Sequence, residues 1–267
     1  MAERLGRALQ KLLHQFESGR DLTIIFYMNI INYFKKFGDY IDSIRKPKYN
    51  FKKILINYVN NKKIKVLEIG SSDRPMINIQ DHDIILHGLD PDTRLKEYKG
   101  DGVFHKFFNS SIQNINLNEK YDFIYCNMVL EHVENNDLVS EKVRLLLKKG
   151  GFFITNQPSN FHPFSIINRI VPTNFARILI KYLQPWSKLG IKSGYKAYYH
   201  KTNFPELNKL YKKNNFIVND FEIDYNGSDY FKFFPPLFLI IVLYEELVRY
   251  LDIKLLCARF WVLYQKQ

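Results

Sequence analysis

Glu68, Gly70 and Asp90 are the residues whose types and spacing first suggest chemistry. Each carboxylate stands at the end of a short apolar run, in "VLEIGSSDRP" (66–75) and "IILHGLDPD" (84–92). A glycine just past a strand lets the backbone approach a ligand, and an acidic residue at the end of the next strand accepts hydrogen bonds from ribose hydroxyls. The distance along the chain from Glu68 to Asp90 is close to the roughly twenty residues expected of such a unit. Taken alone, "EIGSSD" serves equally well as a plain strand and turn. Asp90 at this spacing favours a nucleotide-like ligand.

These residues need elements to position them. From Lys65 onward short apolar runs, "IKVLEIG", "IILHGLD", "VFHKFF", "YDFIYCNM" and "GGFFITNQP", alternate with helical or polar segments. That alternation predicts an α/β fold with a parallel, doubly wound sheet. Ligands of such sheets bind beyond the carboxyl ends of the strands, where the strand order reverses, and Gly70 falls there. The crossover after "YDFIYCNM" is a helix carrying Leu138, Val139, Val143, Leu145, Leu146 and Leu147, ended by Gly150 and Gly151. Asn203 and Glu206 form a capping box for a later helix, followed by strands "FIVNDFEIDY" and "CARFWVLYQK". The long connection between these strands, Asn226 to Leu256, holds the apolar run "FFPPLFLIIVLY" and a helical stretch "YEELVRYLDIKLL".

The first sixty residues read as helices: an amphipathic one through Leu5, Ala8, Leu9, Leu12, Leu13 and Phe16, a second through 22–44 stopped by Pro47, and a third near 50–61. The expected organisation is a helical extension over 1–60 and a main domain over 61–267. The main domain carries a basic insertion at 161–201 and an apolar, helical one at 226–256.

Composition narrows the function classes. Apolar residues make up 46% of the chain and aromatic residues 16%, which excludes a disordered polymer. Two cysteines, without CxxC or Cys/His spacing, support neither a disulfide framework nor a structural zinc site, and no metal is expected. The N-terminus does not read as a secretory signal, and no apolar run reaches the length of a membrane span. The net charge is +12. Between Phe161 and Asn215 ten Lys/Arg stand against Glu206 alone, so most of the excess lies there, interleaved with Trp186, Tyr195, Tyr198 and Tyr199. A solvated basic face is one reading; an anionic acceptor or an anionic membrane surface is the other.

The run from Lys65 to Asn160 resembles the core of class I S-adenosylmethionine-dependent methyltransferases, nearest the broad small-molecule group called type 11. "LEIGSS", "GLDPD", "YDFIYCNMVLEHVEN" and "LLLKKGGFFIT" carry the resemblance. It implies a seven-stranded Rossmann-like sheet whose last strand is antiparallel, to which the N-terminal helices and the C-terminal helical insertion read above are added, and S-adenosylmethionine as cofactor. It places Glu68 near the cofactor's ammonium group and Gly70 beneath its methionine part, with Ser71 and Ser72 where the family more often has glycine. Serine is small and can donate to a carboxylate. Asp90, followed by Pro91, would hold the ribose; Ser110 and Ser111 would lie near adenine; Cys126 and Asn127 would line the sulfonium pocket.

On the acceptor side, His162 in "NQPSNFHPF" and His132 in "LEHVEN" are candidate proton acceptors, since histidine titrates near neutrality. Against those roles stand a helix-capping His-Pro pair for His162 and a loop-holding part for His132. His200 is a further candidate of the same kind. Cys126 as a nucleophile has no basic partner nearby in sequence, and a buried strand cysteine is usually core.

The resulting expectation is a cytoplasmic enzyme, peripheral to the membrane, that methylates a hydroxyl, with an amine second. Its acceptor would be small or lipid-linked and anionic, such as a saccharide or quinone-type precursor. Two alternatives remain: a nucleic-acid methyltransferase, disfavoured because the fourth strand lacks an Asn-Pro-Pro-aromatic ending, and a methyltransferase-fold scaffold without turnover.

Overall fold

The computed structural model describes residues 19–45, 47–60, 63–79, 83–171 and 196–267. The amphipathic helix expected around Leu5 to Phe16 lies outside them, as do Arg177, Lys181, Trp186, Lys188, Lys192 and Tyr195 of the basic segment.

Seven strands form one sheet: β1 (Ile64–Ile69), β2 (Ile84–Leu89), β3 (Lys106–Phe108), β4 (Tyr121–Asn127), β5 (Leu147–Pro158), β6 (Phe216–Asp224) and β7 (Arg259–Lys266). Their order is β3-β2-β1-β4-β5-β7-β6. The first five are parallel, while β7 runs antiparallel to both β5 and β6. The order reverses between β1 and β4, and doubly wound sheets take their ligands beyond the carboxyl ends of the strands at such a point.

Six helices are described: α1 (Gly19–Ser43), α2 (Phe51–Val59), α3 (Asn136–Leu146), α4 (Pro163–Ile170), α5 (Phe204–Lys213) and α6 (Pro235–Tyr250). Because side chains alternate across a strand, neighbouring residues feed opposite faces of the sheet. Leu67, Ile124, Phe153 and Val262 join Val139, Val143, Leu207 and Tyr211 of α3 and α5. Val66, Phe123, Ile154 and Trp261 join Phe51, Leu55 and Val59 of α2. Both faces are thus covered, as a buried parallel sheet requires.

Local chemistry sets the helix ends. Asn135 Oδ1 accepts from the N–H groups of Asp137 and Leu138 at the start of α3, and Asn203 Oδ1 accepts from the Glu206 N–H at 3.0 Å to open α5. The reverse arm of this second cap runs from the Asn203 side-chain amide to the Glu206 carboxylate rather than from backbone N–H. Gly150 and Gly151 do not end α3, as the sequence suggested: the helix stops at Leu146, and Gly150, at φ +75°, lies within β5. The run "PPLFLIIVLY", read apart from the helical stretch after it, forms the first part of α6.

The chain divides into two compact units. One holds α1 and Ser228–Ile241; the other holds the sheet, α2 to α5 and the remainder of α6. The division falls after Pro47, so α2 belongs with the sheet on which it packs, whereas the sequence grouped it with the N-terminal extension. Within the first unit the stem of Lys232 lies on Gly38, where an added Cβ would come within 2.5 Å of Lys232 Cγ. The buried ammonium meets Asp39 at 2.8 Å, Asp42 at 2.6 Å and Asp229 at 2.7 Å.

Candidate active site

Asn109, Asp90, Gly70, Asn127 and Asn156 form a row across the carboxyl ends of β3, β2, β1, β4 and β5. Asn127 pairs with Asn156 in register. Gly70 and Asp90 each follow the last paired residues of β1 and β2, Ile69 and Leu89, while Asn109 follows Phe108 of β3. The sheet thus brings together at one edge residues that the sequence holds far apart.

The loop after β1 is tied to this edge by Asp90. Its Oδ2 accepts from the Ser72 N–H at 2.8 Å and its Oδ1 from the Asp92 N–H at 2.9 Å. Gly70 N–H donates to Leu89 O at 2.7 Å. Gly70 has φ +72° and Ser72 φ +51°, both in the left-handed region that favours glycine. Ser72 therefore keeps a glycine-like backbone while carrying a side chain. A Cβ on Gly70 would also come within 2.4 Å of Val129 Cγ2, so the turn after β4 closes directly on this glycine. Ser71 is buried against Gly88, Ser72 and Pro91 are exposed, and Ser111 Oγ accepts from Asn114 N–H to shape the turn after Ser110.

Glu68 does not offer a bare carboxylate. Its Oε2 accepts from the Tyr125 hydroxyl at 2.6 Å and its Oε1 from the Met76 N–H at 3.3 Å. Burial pushes its pKa up to about 8, against the lowering effect of those two donors and with a further push from Asp90. The carboxyl ties β1 to β4 and to the following loop. Cys126 is fully buried, its Sγ donating to Thr155 Oγ1 at 3.1 Å, and burial raises its thiol to about 12. Alternation along β4 turns this thiol into the core beside Tyr211, so of the pair expected to line the sulfonium pocket only Asn127 has its side chain at the crevice.

The turn after β4 is held by distant chain. Tyr198 and Tyr199 N–H both donate to Glu131 O. His132 Nδ1–H donates to Lys196 O at 3.1 Å, and Asn136 N–H donates to His200 Nδ1 at 3.1 Å. Lys201 Nζ meets Asp137 Oδ1 at 2.7 Å. Residues 196–201 thus form a strap across the Leu130–Asp137 turn. Its bonds fix His132 as the tautomer with the acceptor nitrogen at Nε2, and burial lowers the ring's pKa below the usual histidine value against the raising effect of Lys196 O. Glu131 is buried with Oε2 lacking a hydrogen-bond partner among the described residues, and burial lifts its pKa to about 8.

His162 takes the capping position. Its Nδ1 accepts from the Phe164 N–H at 3.3 Å at the start of α4, leaving Nε2–H to donate to Glu245 Oε1 at 3.2 Å. With 2% exposure and both nitrogens engaged, it is not presented to an incoming hydroxyl. His200 likewise serves the strap.

Sequence reasoning missed Asn156, Tyr49, Asn109 and Glu131. Tyr49 hydroxyl donates to Asn156 Oδ1 at 2.6 Å, and Asn156 Nδ2 donates to Asn127 Oδ1 at 2.6 Å. For Asn109 the available signal was a polar residue just past the apolar run "VFHKFF".

A family model described as a methyltransferase domain matches residues 39–217. No curated protein matches the sequence. Geranyl diphosphate C-methyltransferase from Streptomyces coelicolor A3(2), solved with Mg2+, geranyl diphosphate and S-adenosyl-L-homocysteine, is similar with a TM-score of 0.52 at 9% identity, over 81% of this chain and 78% of that one. The N-methyltransferase NodS from Bradyrhizobium japonicum WM9, in complex with S-adenosyl-L-homocysteine, gives 0.47 at 11% identity, over 80% and 84%. Identities this low speak to fold alone. The family match covers more than half of the chain, and with a seven-stranded sheet that places its polar row at the switch point, the protein belongs to the methyltransferase domain family.

Proposed function

We propose that this methyltransferase transfers the methyl group of S-adenosylmethionine to a hydroxyl oxygen of a small or lipid-linked, anionic acceptor. The residues at the strand ends fit the cofactor. Asp90 keeps acceptor capacity beyond its two backbone bonds, since each carboxylate oxygen takes more than one hydrogen bond. Gly70 turns the chain at the strand end with φ +72°, and Ser72 turns an exposed, small side chain outward.

When bound, the cofactor supplies an electrophilic methyl group on a sulfonium. The chain supplies placement and a proton acceptor. In this reading Asp90 takes the ribose hydroxyls, Ser110 and Ser111 flank adenine, and Gly70 and Asn127 border the methionine part. His132 Nε2 receives the acceptor's proton, held in that tautomer by Lys196 O. The observation that supports a hydroxyl is this histidine's place in the turn after β4: held through Nδ1 by Lys196 O, with a pKa lowered by burial, the ring suits an alcohol, which must lose a proton as the new bond forms.

The basic residues of 161–215 support an anionic acceptor. Exposed Leu243, Leu247 and Tyr250 along one side of α6 support a lipid-linked one. No helix among the described residues is long and apolar enough to cross a membrane, so a lipid partner would be met at a surface.

The test is calorimetric titration of wild type and Asp90→Ala with S-adenosylmethionine, followed by radiolabelled methyl transfer to a panel of anionic saccharides and phenols with wild type and His132→Asn. Binding by wild type and its loss in Asp90→Ala are expected, with transfer that His132→Asn abolishes. Labelling of amines alone would overturn the hydroxyl assignment.

A further inference from the structure

The side-chain amide of Asn127 is joined by a chain of two hydrogen bonds to Asn156 and, behind it, Tyr49. Asn156 is 2% exposed and both ends of its amide are engaged: Oδ1 accepts from the Tyr49 hydroxyl, and Nδ2 donates to Asn127 Oδ1. Tyr49 is pinned in turn, because Arg259 stacks on its ring at 4.8 Å and Arg259 Nε donates to Asp224 Oδ2 at 2.8 Å. Asn127 Oδ1 is therefore occupied on the sheet side. Its Nδ2 has no protein partner among the described residues, and Asn127 is partly open to solvent.

We infer that Tyr49 and Asn156 are positioning residues that present Asn127 to the crevice as a hydrogen-bond donor, matched to the carboxylate of the cofactor's methionine part. The inference rests on the cofactor reading above. The order of the row supplies the rest. With the ribose at Asp90 on β2, the amino-acid end extends past Gly70 on β1 toward Asn127 on β4. That end carries an ammonium, which only donates, and a carboxylate, which only accepts. An NH2 group facing it selects the carboxylate.

Asn156→Asp reverses the polarity with little change in shape. A carboxylate at 156 still accepts from Tyr49, but it has no donor for Asn127 Oδ1. The Asn127 amide then turns over, gives Nδ2 to the new carboxylate and shows Oδ1 to the crevice. Tyr49→Phe removes one bond and loosens the same arrangement without reversing it.

Calorimetric titration of wild type, Asn156→Asp and Tyr49→Phe with two probes separates positioning from general damage. The probes are S-adenosylhomocysteine and 5′-methylthioadenosine, which lacks the amino-acid part. Asn156→Asp is expected to weaken S-adenosylhomocysteine by about tenfold or more, the scale of a hydrogen bond to a charged group. Tyr49→Phe should weaken it by a smaller factor, and 5′-methylthioadenosine should bind all three proteins alike. Equal loss of both probes would overturn the inference, showing a merely structural effect. So would unchanged binding of S-adenosylhomocysteine, which would leave the cofactor reading standing. A wild type that binds neither probe would remove the cofactor reading itself.

Discussion

The loop after β1 and the turn after β4 meet at Gly70 and Val129, yet they are built by opposite means. The first is a local device: Asp90, one strand away, accepts from the Ser72 N–H, and the Gly70 N–H donates to Leu89 O beside it. The second is held from a distance, by a strap more than sixty residues further along the chain. The local loop binds through backbone shape, so its tolerance is set by dihedral angles and close packing. The turn depends on side chains and on a buried carboxyl, so its tolerance is set by hydrogen bonding and protonation.

The largest effect that would break this contrast is at Gly70. Gly70→Ala places a Cβ at positive φ and against Val129, and should cost about 2–5 kcal/mol from strain and overpacking together. Thermal melting and titration with S-adenosylhomocysteine should both show it; a variant that melts and binds like wild type would mean that the two loops do not close on each other.

Glu131 sharpens the other side of the contrast. A carboxyl with a raised folded-state pKa contributes stability in its protonated form below the unfolded value near 4.5, and that contribution is lost as pH climbs toward 8. Glu131→Gln mimics the protonated form at every pH. Relative to wild type it should therefore gain stability from pH 5 to pH 8, by on the order of 2 kcal/mol. Glu68, raised in the same direction, leaves a residual slope in both proteins. Parallel melting curves across that range would show that Glu131 is ionised in the fold.

The smallest effect belongs to Ser72. Ser72→Gly relieves a left-handed backbone and should stabilise the protein by about 1 kcal/mol or less, with S-adenosylhomocysteine affinity unchanged. A loss of affinity would assign the serine hydroxyl a contact of its own.

The strands, their order of use and the Gly70–Asp90 pair were legible because each is written within a few residues. Apolar runs give strands, and a carboxylate or glycine at the end of a run marks the crevice. His162 shows where such reading stops. Its chemistry and its place after the fifth strand suggested a base, but Glu245, 83 residues away, and the first turn of α4 take both nitrogens. Asn156 was hidden because "FFITNQP" reads as strand, and only the parallel register sets it beside Asn127. Tyr49 lies in an unremarked segment between Pro47 and α2, and nothing local tells that its hydroxyl reaches β5. Periodicity reports what an element buries, whereas pairing between distant polar groups leaves no periodic trace.

Lys232 also imposes a timetable on synthesis. It follows Asp39 by 193 residues, so at roughly 5–20 residues per second the helix bearing Asp39 and Asp42 waits on the order of 10–40 s for the cation that sits between them. Five parallel strands leave the ribosome in that interval. The first unit is thus completed late although it begins early, and a nascent chain stalled before residue 232 would carry α1 without the lysine stem that seats against Gly38.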